Sequence, residues 1–265
     1  VIKCNCHRVN SAVVWSLGIA GSATTCKNKP MGDNMKRLAA VVGVFSHSAC
    51  NNDQLKEIQR LEESLQRVYE LMRRNDTRWT SQFQMMVRLL GLKKAIIEYF
   101  RKHPENQRRL TSREWAVTNE VCSLLDVVSE ATIRMQGGMD THISQAMFIM
   151  KEVGEVLKED SQEIRVEDGN VLPAPPEGVP TELVLVSDLH EESRTVRDVL
   201  LEKMEEKGVG KAELKVERLC ALLDPRRKML DSDQLVNGSA TVRIRAEGDL
   251  DDVAASFSDH QPDAR

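Results

Sequence analysis

Apolar positions recur along most of this chain every three or four residues, the period of a helix with one face turned inward. From Met35 to about Phe45 the residues Leu38, Val41, Val42 and Phe45 keep that spacing. Asn51-Asn52-Asp53 then offers an N-cap for a helix in which Ile58, Leu61, Leu65, Val68 and Met72 follow a 3-4-3-4 rhythm, with Lys56, Glu57, Glu62, Glu63, Arg67 and Arg73 on the other faces. The seam lasts barely two heptads, so packing inside a bundle is preferred to an intermolecular coiled coil. Further amphipathic helices are predicted at about 81–102, 112–135 and 143–157. Asn106-Gln107 and Gly137-Gly138 punctuate them, and Thr111 and Glu114 stand at capping-box spacing. A bundle of antiparallel helices is the economical architecture. Ahead of these lie a short apolar stretch, Ala12 to Ile19, a Gly/Ser/Thr-rich piece at 21–25, and Pro30, where a helix is expected to end.

Residues 159–180 break the pattern. They are acidic and then carry Pro173, Pro175, Pro176 and Pro180, and they read as a solvated linker or loop. Helices are expected again at about 189–207 and 211–223, the second stopped by Pro225. Beyond Asp231 the chain is acidic and weakly periodic, as a disordered tail is.

The 265 residues include 37 Lys+Arg and 41 Asp+Glu, for a net charge of −4, and 41% are hydrophobic but only 4% aromatic. That suits a charge-rich helical protein with a buried core. Residues 1–110 hold 19 Lys+Arg against 9 Asp+Glu, a net of +10, whereas residues 111–265 hold 18 against 32, a net of −14. The first part can face a polyanion, although solvated helix faces give similar counts. No apolar run reaches the roughly 18 residues of a membrane span. Val1-Ile2-Lys3 is neither an initiator methionine nor the start of a secretory signal, so the chain is expected to begin inside a longer protein. Six irregularly spaced cysteines (Cys4, Cys6, Cys26, Cys50, Cys122, Cys220) favour a reducing compartment.

Candidate chemistry is sparse. Cys4, Cys6 and His7 are zinc-type ligands, but no second ligand pair follows at finger spacing, and no self-contained zinc site is expected. There is no Gly-rich phosphate loop after a strand, no GxSxG and no HExxH. Ser187, Asp188 and His190 are read as helix-capping residues rather than a triad, because neighbours on one turn rarely converge on an atom. The clusters Arg73-Arg74, Arg101-Lys102 with His103, Arg108-Arg109 and Arg226-Arg227-Lys228 are candidate phosphate contacts or solvated helix ends. Trp79 and Trp115 read as core by default. For Trp79 an alternative is stacking on a DNA base, with Arg78 beside it on the backbone.

An ordered set of short motifs resembles the transposases of the hAT superfamily and the domesticated proteins derived from them, including those with BED-type zinc fingers. Cys4-Asn5-Cys6-His7 with Val9 to Val14 resembles the family's Cys-x-x-His segment and following helix. Leu38 through Phe45-Ser46-His47-Ser48, with Leu55 and Gln59, resembles the helix pair that comes next. Thr77-Arg78-Trp79-Thr80-Ser81 is similar to a Thr-Arg-Trp-Asn-Ser motif, with Thr80 in place of Asn, and Arg88 to Ile96 resembles its continuation. Leu110-Thr111, Glu114-Trp115, Leu124-Leu125 and Thr132 to Gly137 match the order of the family's helical insertion. Ala221-Leu222-Leu223-Asp224-Pro225-Arg226-Arg227-Lys228 is similar to its Leu-Asp-Pro-Arg-Phe-Lys signature, with Arg227 replacing Phe.

The resemblance implies a mainly α chain: a helical insertion domain attached to an incomplete ribonuclease-H-like core, with a disordered acidic C-terminal tail. The expected division is 1–80 partial core and first helices, 81–230 insertion with the Pro-rich linker, and 231–265 tail. In the family, three carboxylates hold divalent ions such as Mg for phosphoryl transfer. Two of them precede the Cys-x-x-His segment, and here no Asp or Glu occurs before Asp33. The third belongs to a Ser-x-x-Glu-Arg segment that nothing after Lys228 resembles, and no BED finger is found. The expectation is therefore a transposase-derived DNA-binding fragment without strand transfer, a catalytic set or a cofactor. It is nuclear by family, has no membrane partner, and homo-oligomerisation is expected through regions outside this sequence. The expected DNA contacts are His7, Arg73, Arg74, Arg78, Trp79, Arg101, Lys102, Arg108 and Arg109. The competing readings are a helical interaction scaffold and a truncated record of an active transposase.

Overall fold

Pro30, expected to end a helix, instead starts one, because its missing N–H and fixed φ cost nothing in a first turn. In this structure, a computed structural model that describes residues 5–21, 25–61, 67–75, 78–136, 143–166 and 180–209, Pro30 lies in the first turn of the second helix. The elements are α1 (Asn5–Ser16), α2 (Lys29–Ser46), α3 (Ala49–Arg60), α4 (Trp79–Gly91), α5 (Lys93–Lys102), α6 (Ser112–Gln136), α7 (Ile143–Lys158), β1 (Ser161–Arg165), β2 (Thr181–Leu185), a 3-10 turn at Val186–Asp188, and α8 (Glu191–Glu206). The described residues are mainly α, as the periodicity and the resemblance both require.

The long seam is the largest correction. Ser48 rather than the Asn51-Asn52-Asp53 run caps α3, its side chain accepting from the Asn51 N–H, and the helix ends at Arg60. Leu65 lies outside the described residues. Residues 67–75 are not helical but form an extended strap tied to the bundle by side-chain amides and guanidinium groups. Gln59 holds Tyr69 by both backbone groups: Oε1 accepts from its N–H at 2.8 Å, and Nε2 donates to its carbonyl at 3.0 Å. Arg88 lies 4.8 Å over the Tyr69 ring and donates to the Glu70 carbonyl. With this seam interrupted, a self-associating helix over 58–72 has no structural basis.

The expected helix at 81–102 is two helices meeting at Gly91 and the buried Leu92. The acidic start of the expected linker contributes β1, which pairs antiparallel with β2 in the register Ser161↔Leu185 to Arg165↔Thr181. Ile164 of β1 packs with Leu124 and Leu189 in a small satellite cluster. The predicted helix at 211–223, the motif at Asp224-Pro225-Arg226 and the acidic tail lie outside the described residues.

One apolar cluster runs from Val9 to Val209. Val9, Ala12 and Val13 of α1 and Leu17 just after it repeat at helical spacing and are fully buried, and α8 brings Val196, Leu200 and Met204 into the same cluster. The turn after α1 crosses α2 closely. A Cβ on Gly32 would stand 2.4 Å from the Gly18 carbonyl oxygen, so only glycine fits there. Asn28, 1% exposed, serves three elements at once: Oδ1 accepts from the Met31 N–H, while Nδ2 reaches the carbonyls of Ser16 and Glu192. Arg8, 4% exposed, donates from Nη1 to the carbonyl of Gly208 at 3.1 Å. Gly208, at φ 62°, closes the C-terminus of α8, where the Val209 N–H returns to the Met204 carbonyl. A cation at that end is favoured by the helix dipole.

Candidate nucleic-acid interface

The N-terminus of α4 is built by three segments: α1, the end of the strap, and α4 itself with the residue before it. Arg78 is its N-cap residue in extended conformation with no side-chain cap, so the end must be satisfied from elsewhere. Asn10 of α1 does this, its Oδ1 accepting from the Trp79 N–H at 3.0 Å. Ser81 holds the approach: the Asn75 N–H donates to its Oγ at 2.9 Å, and that Oγ lies 2.7 Å from the Arg78 carbonyl. Gln82 Nε2 also donates to the Asn75 carbonyl at 3.1 Å.

His7 is exposed on α1 one turn before Asn10, a spacing that puts both on one face. The contact that caps α4 sets Asn10, one turn after His7, against the helix end that carries Arg78. Asn10 is the residue that sequence reading missed. Its only signal was its place inside the motif that opens with Cys4. Thr77 and Cys4 lie outside the described residues.

The expected DNA contacts divide into engaged and open groups. Arg73 donates from Nη2 to the Ser46 carbonyl at 2.6 Å and lies 3.4 Å from His47 Nδ1, where it caps the end of α2. Arg74 is half-buried and also partnered. Arg101 forks onto Glu98 at 2.6 and 2.9 Å, and Lys102 stands 3.5 Å from the same carboxylate. The hydrogen bond from Arg101 is the main reason the Glu98 carboxyl is lowered to about 2. Arg101 thus has a carboxylate partner in its own helix, and Lys102 shares it. Arg78, Arg108 and Arg109 are exposed, and their side chains have no partner among the described residues. The loop holding Arg108 and Arg109 is fixed on α2, where Arg37 donates to the Arg109 carbonyl and pairs with Glu114. Glu114 also closes the predicted capping box with Thr111.

Trp79 is corrected. Its indole is 2% exposed and tilted against Phe83 at 5.9 Å, so no ring face is open to a base in this packing. Trp115 is likewise core, as expected. His190 is the N-cap residue of α8, but its ring meets Glu120 (Nδ1 to Oε1, 2.7 Å) rather than Asp188 or Ser187, so no triad forms. Among the described residues no three His, Cys, Asp or Glu side chains come together, and these residues do not fit a two-metal centre. No helix of the described residues is long and apolar enough to cross a membrane.

With this geometry in place, the comparisons are specific. Residues 2–124 match the family model of the ZBED1 RNase-like helical domain. That span contains every residue of the interface just described and ends within α6. No curated protein and no solved structure matches the chain.

Proposed function

We propose, from the match of residues 2–124 to the ZBED1 RNase-like helical domain, that the chain is of the BED-type, transposase-derived kind, that it binds DNA through the α4 N-terminus and that it does not itself carry out strand transfer. The observation that carries this reading is the Asn10 cap on the Trp79 N–H, which sets α1 against the positive end of α4, with Arg78 exposed at that end and its side chain without a partner among the described residues. A helix N-terminus with an unpaired arginine favours a phosphate oxygen on both dipole and charge grounds. Arg108 and Arg109 supply a second open pair of cations on the same half of the chain, the half whose net charge is +10. Arg73 holds the strap to the end of α2 rather than meeting phosphate. The proposed setting is the nucleus, with DNA as partner and no resident cofactor.

The test is fluorescence anisotropy of the full chain with short duplex and hairpin DNA at two salt concentrations. Binding should weaken steeply with salt, and Arg78→Ala should reduce the log–log salt slope by about one. Arg101→Ala should leave it nearly unchanged, since Glu98 already holds that charge. Salt-independent binding, or none by a folded chain at low salt, overturns the proposal.

A further inference from the structure

Away from the basic corner, the second half of α6 and the length of α7 enclose an open groove of about 540 Å³. Its floor is apolar, with Val127 and Ala131 from α6 and Val153 and Val156 from α7, and Val156 remains 42% exposed. Its rim is acidic. Glu130 is satisfied within its own helix by Arg134 at 2.5 Å, and Glu155 has Lys158 at 3.3 Å. Glu152 and Glu159 have no cationic partner among the described residues. They lie seven positions apart, two turns, or about 10 Å along a helix axis. An apolar floor two turns long with unpaired carboxylates at the same period is the complement of one kind of surface, a helix with an apolar stripe flanked by cations. A phosphate backbone would be repelled by the same rim.

We propose that the α6–α7 groove receives an amphipathic, basic helix of a partner protein, with its apolar stripe on Val127, Ala131, Val153 and Val156 and lysine or arginine side chains facing Glu152 and Glu159. The site stands apart from the DNA reading: it lies on other elements, has the opposite charge, and is mostly beyond the matched residues 2–124.

The probe is a fluorescein-labelled synthetic helical peptide with a leucine stripe at i, i+3, i+4 and i+7 flanked by lysines, together with a twin in which every lysine is glutamate. Anisotropy with the full chain should show binding of the lysine peptide only. Glu152→Lys with Glu159→Lys should weaken it about tenfold, as loss of two complementary charges does. Val156→Glu, at a partly exposed position, should weaken it by a similar factor with the fold intact by circular dichroism. The reversal Asp53→Lys with Glu105→Lys changes net charge equally but away from the groove, and should leave binding unaltered. Equal binding of the glutamate twin, indifference to the Glu152/Glu159 reversal, an equal loss from the Asp53/Glu105 reversal, or no binding by the folded chain each overturns the proposal.

Discussion

Trp79→Ala distinguishes an indole that holds the bundle together from one that reads DNA. The ring is 2% exposed and packed with Phe83. Truncation removes about 200 Å² of buried surface. At about 25 cal/mol per Å² that is about 5 kcal/mol, an upper figure because the neighbours close part of the void. Large-to-small changes of this type cost about 3–5 kcal/mol, a large fraction of an ordinary domain's 5–15 kcal/mol. Urea unfolding followed by far-ultraviolet circular dichroism should show that loss, with the midpoint moved and the slope kept. Trp79→Phe keeps an aromatic ring in the site and should cost less than half as much. DNA affinity of the folded variants, measured in the absence of urea, should stay within about twofold of the parent, because the indole offers no face to a base. A stability loss below about 1 kcal/mol refutes the packing argument. A well-folded Trp79→Ala chain that loses DNA binding restores the stacking role.

The same substitution should have opposite signs at two glycines. Gly154→Ala, with nothing within 4 Å of the added Cβ, should stabilise α7 by about 1 kcal/mol, whereas Gly32→Ala forces a Cβ to 2.4 Å from the Gly18 oxygen and should destabilise by about 1–3 kcal/mol; melting temperatures decide both. Burial works to raise the Glu192 carboxyl, but the hydrogen bond and charge of Arg113, 2.8 Å away, outweigh it, so its folded pKa lies below the ordinary 4.5. Its contribution is therefore present above about pH 4.5 and lost on acidification through the folded value, and Arg113→Ala should flatten that part of a urea-midpoint profile taken between pH 3 and 7. Burial, reinforced by Asp126 and opposed by Arg165, pushes the Cys122 thiol well above the ordinary thiol range. Iodoacetamide at pH 8 should label exposed Cys50 in the folded chain and reach Cys122 only on unfolding; mass spectrometry showing equal rates would refute that burial.

The helices at α2, α6, α7 and α8 were legible because each is long enough for the 3.6-residue period to repeat several times. The strap was not, and its burial shows why. Tyr69 and Leu71 are half-buried while Val68, Glu70 and Met72 are exposed, a period of two that turns inward the two apolar residues the helical seam left out and turns outward the two it used. What decided between them was Gln59, whose amide pairs with the Tyr69 backbone in place of helical hydrogen bonds, a contact no local pattern announces. β1 was hidden for a related reason. Gln162 is buried and donates to the carbonyls of Val156 and Glu159, so the strand's inward face begins with a polar residue. In the site, the resemblance pointed to His7 and Arg78, but the bridge through Asn10 is tertiary and has no sequence period. The neutralisation of Arg101 was readable, since Glu98 stands three positions before it on the same helix. That of Arg113 by Glu192, 79 positions away, was not.

The bond from Arg8 to Gly208 spans 200 positions, and the apolar face of α1 is closed by α8. On the ribosome, at roughly 5–20 residues per second, Val9, Ala12, Val13 and Leu17 wait about 10–40 s for their partner to emerge. Contacts this distant in sequence also slow folding itself. For that interval the nascent chain presents a bare apolar helix of the sort that holdase chaperones recognise. A messenger interrupted ahead of Glu191 would leave the α8-facing side of α1 uncovered for good, and its product would be a substrate for degradation rather than a smaller working domain.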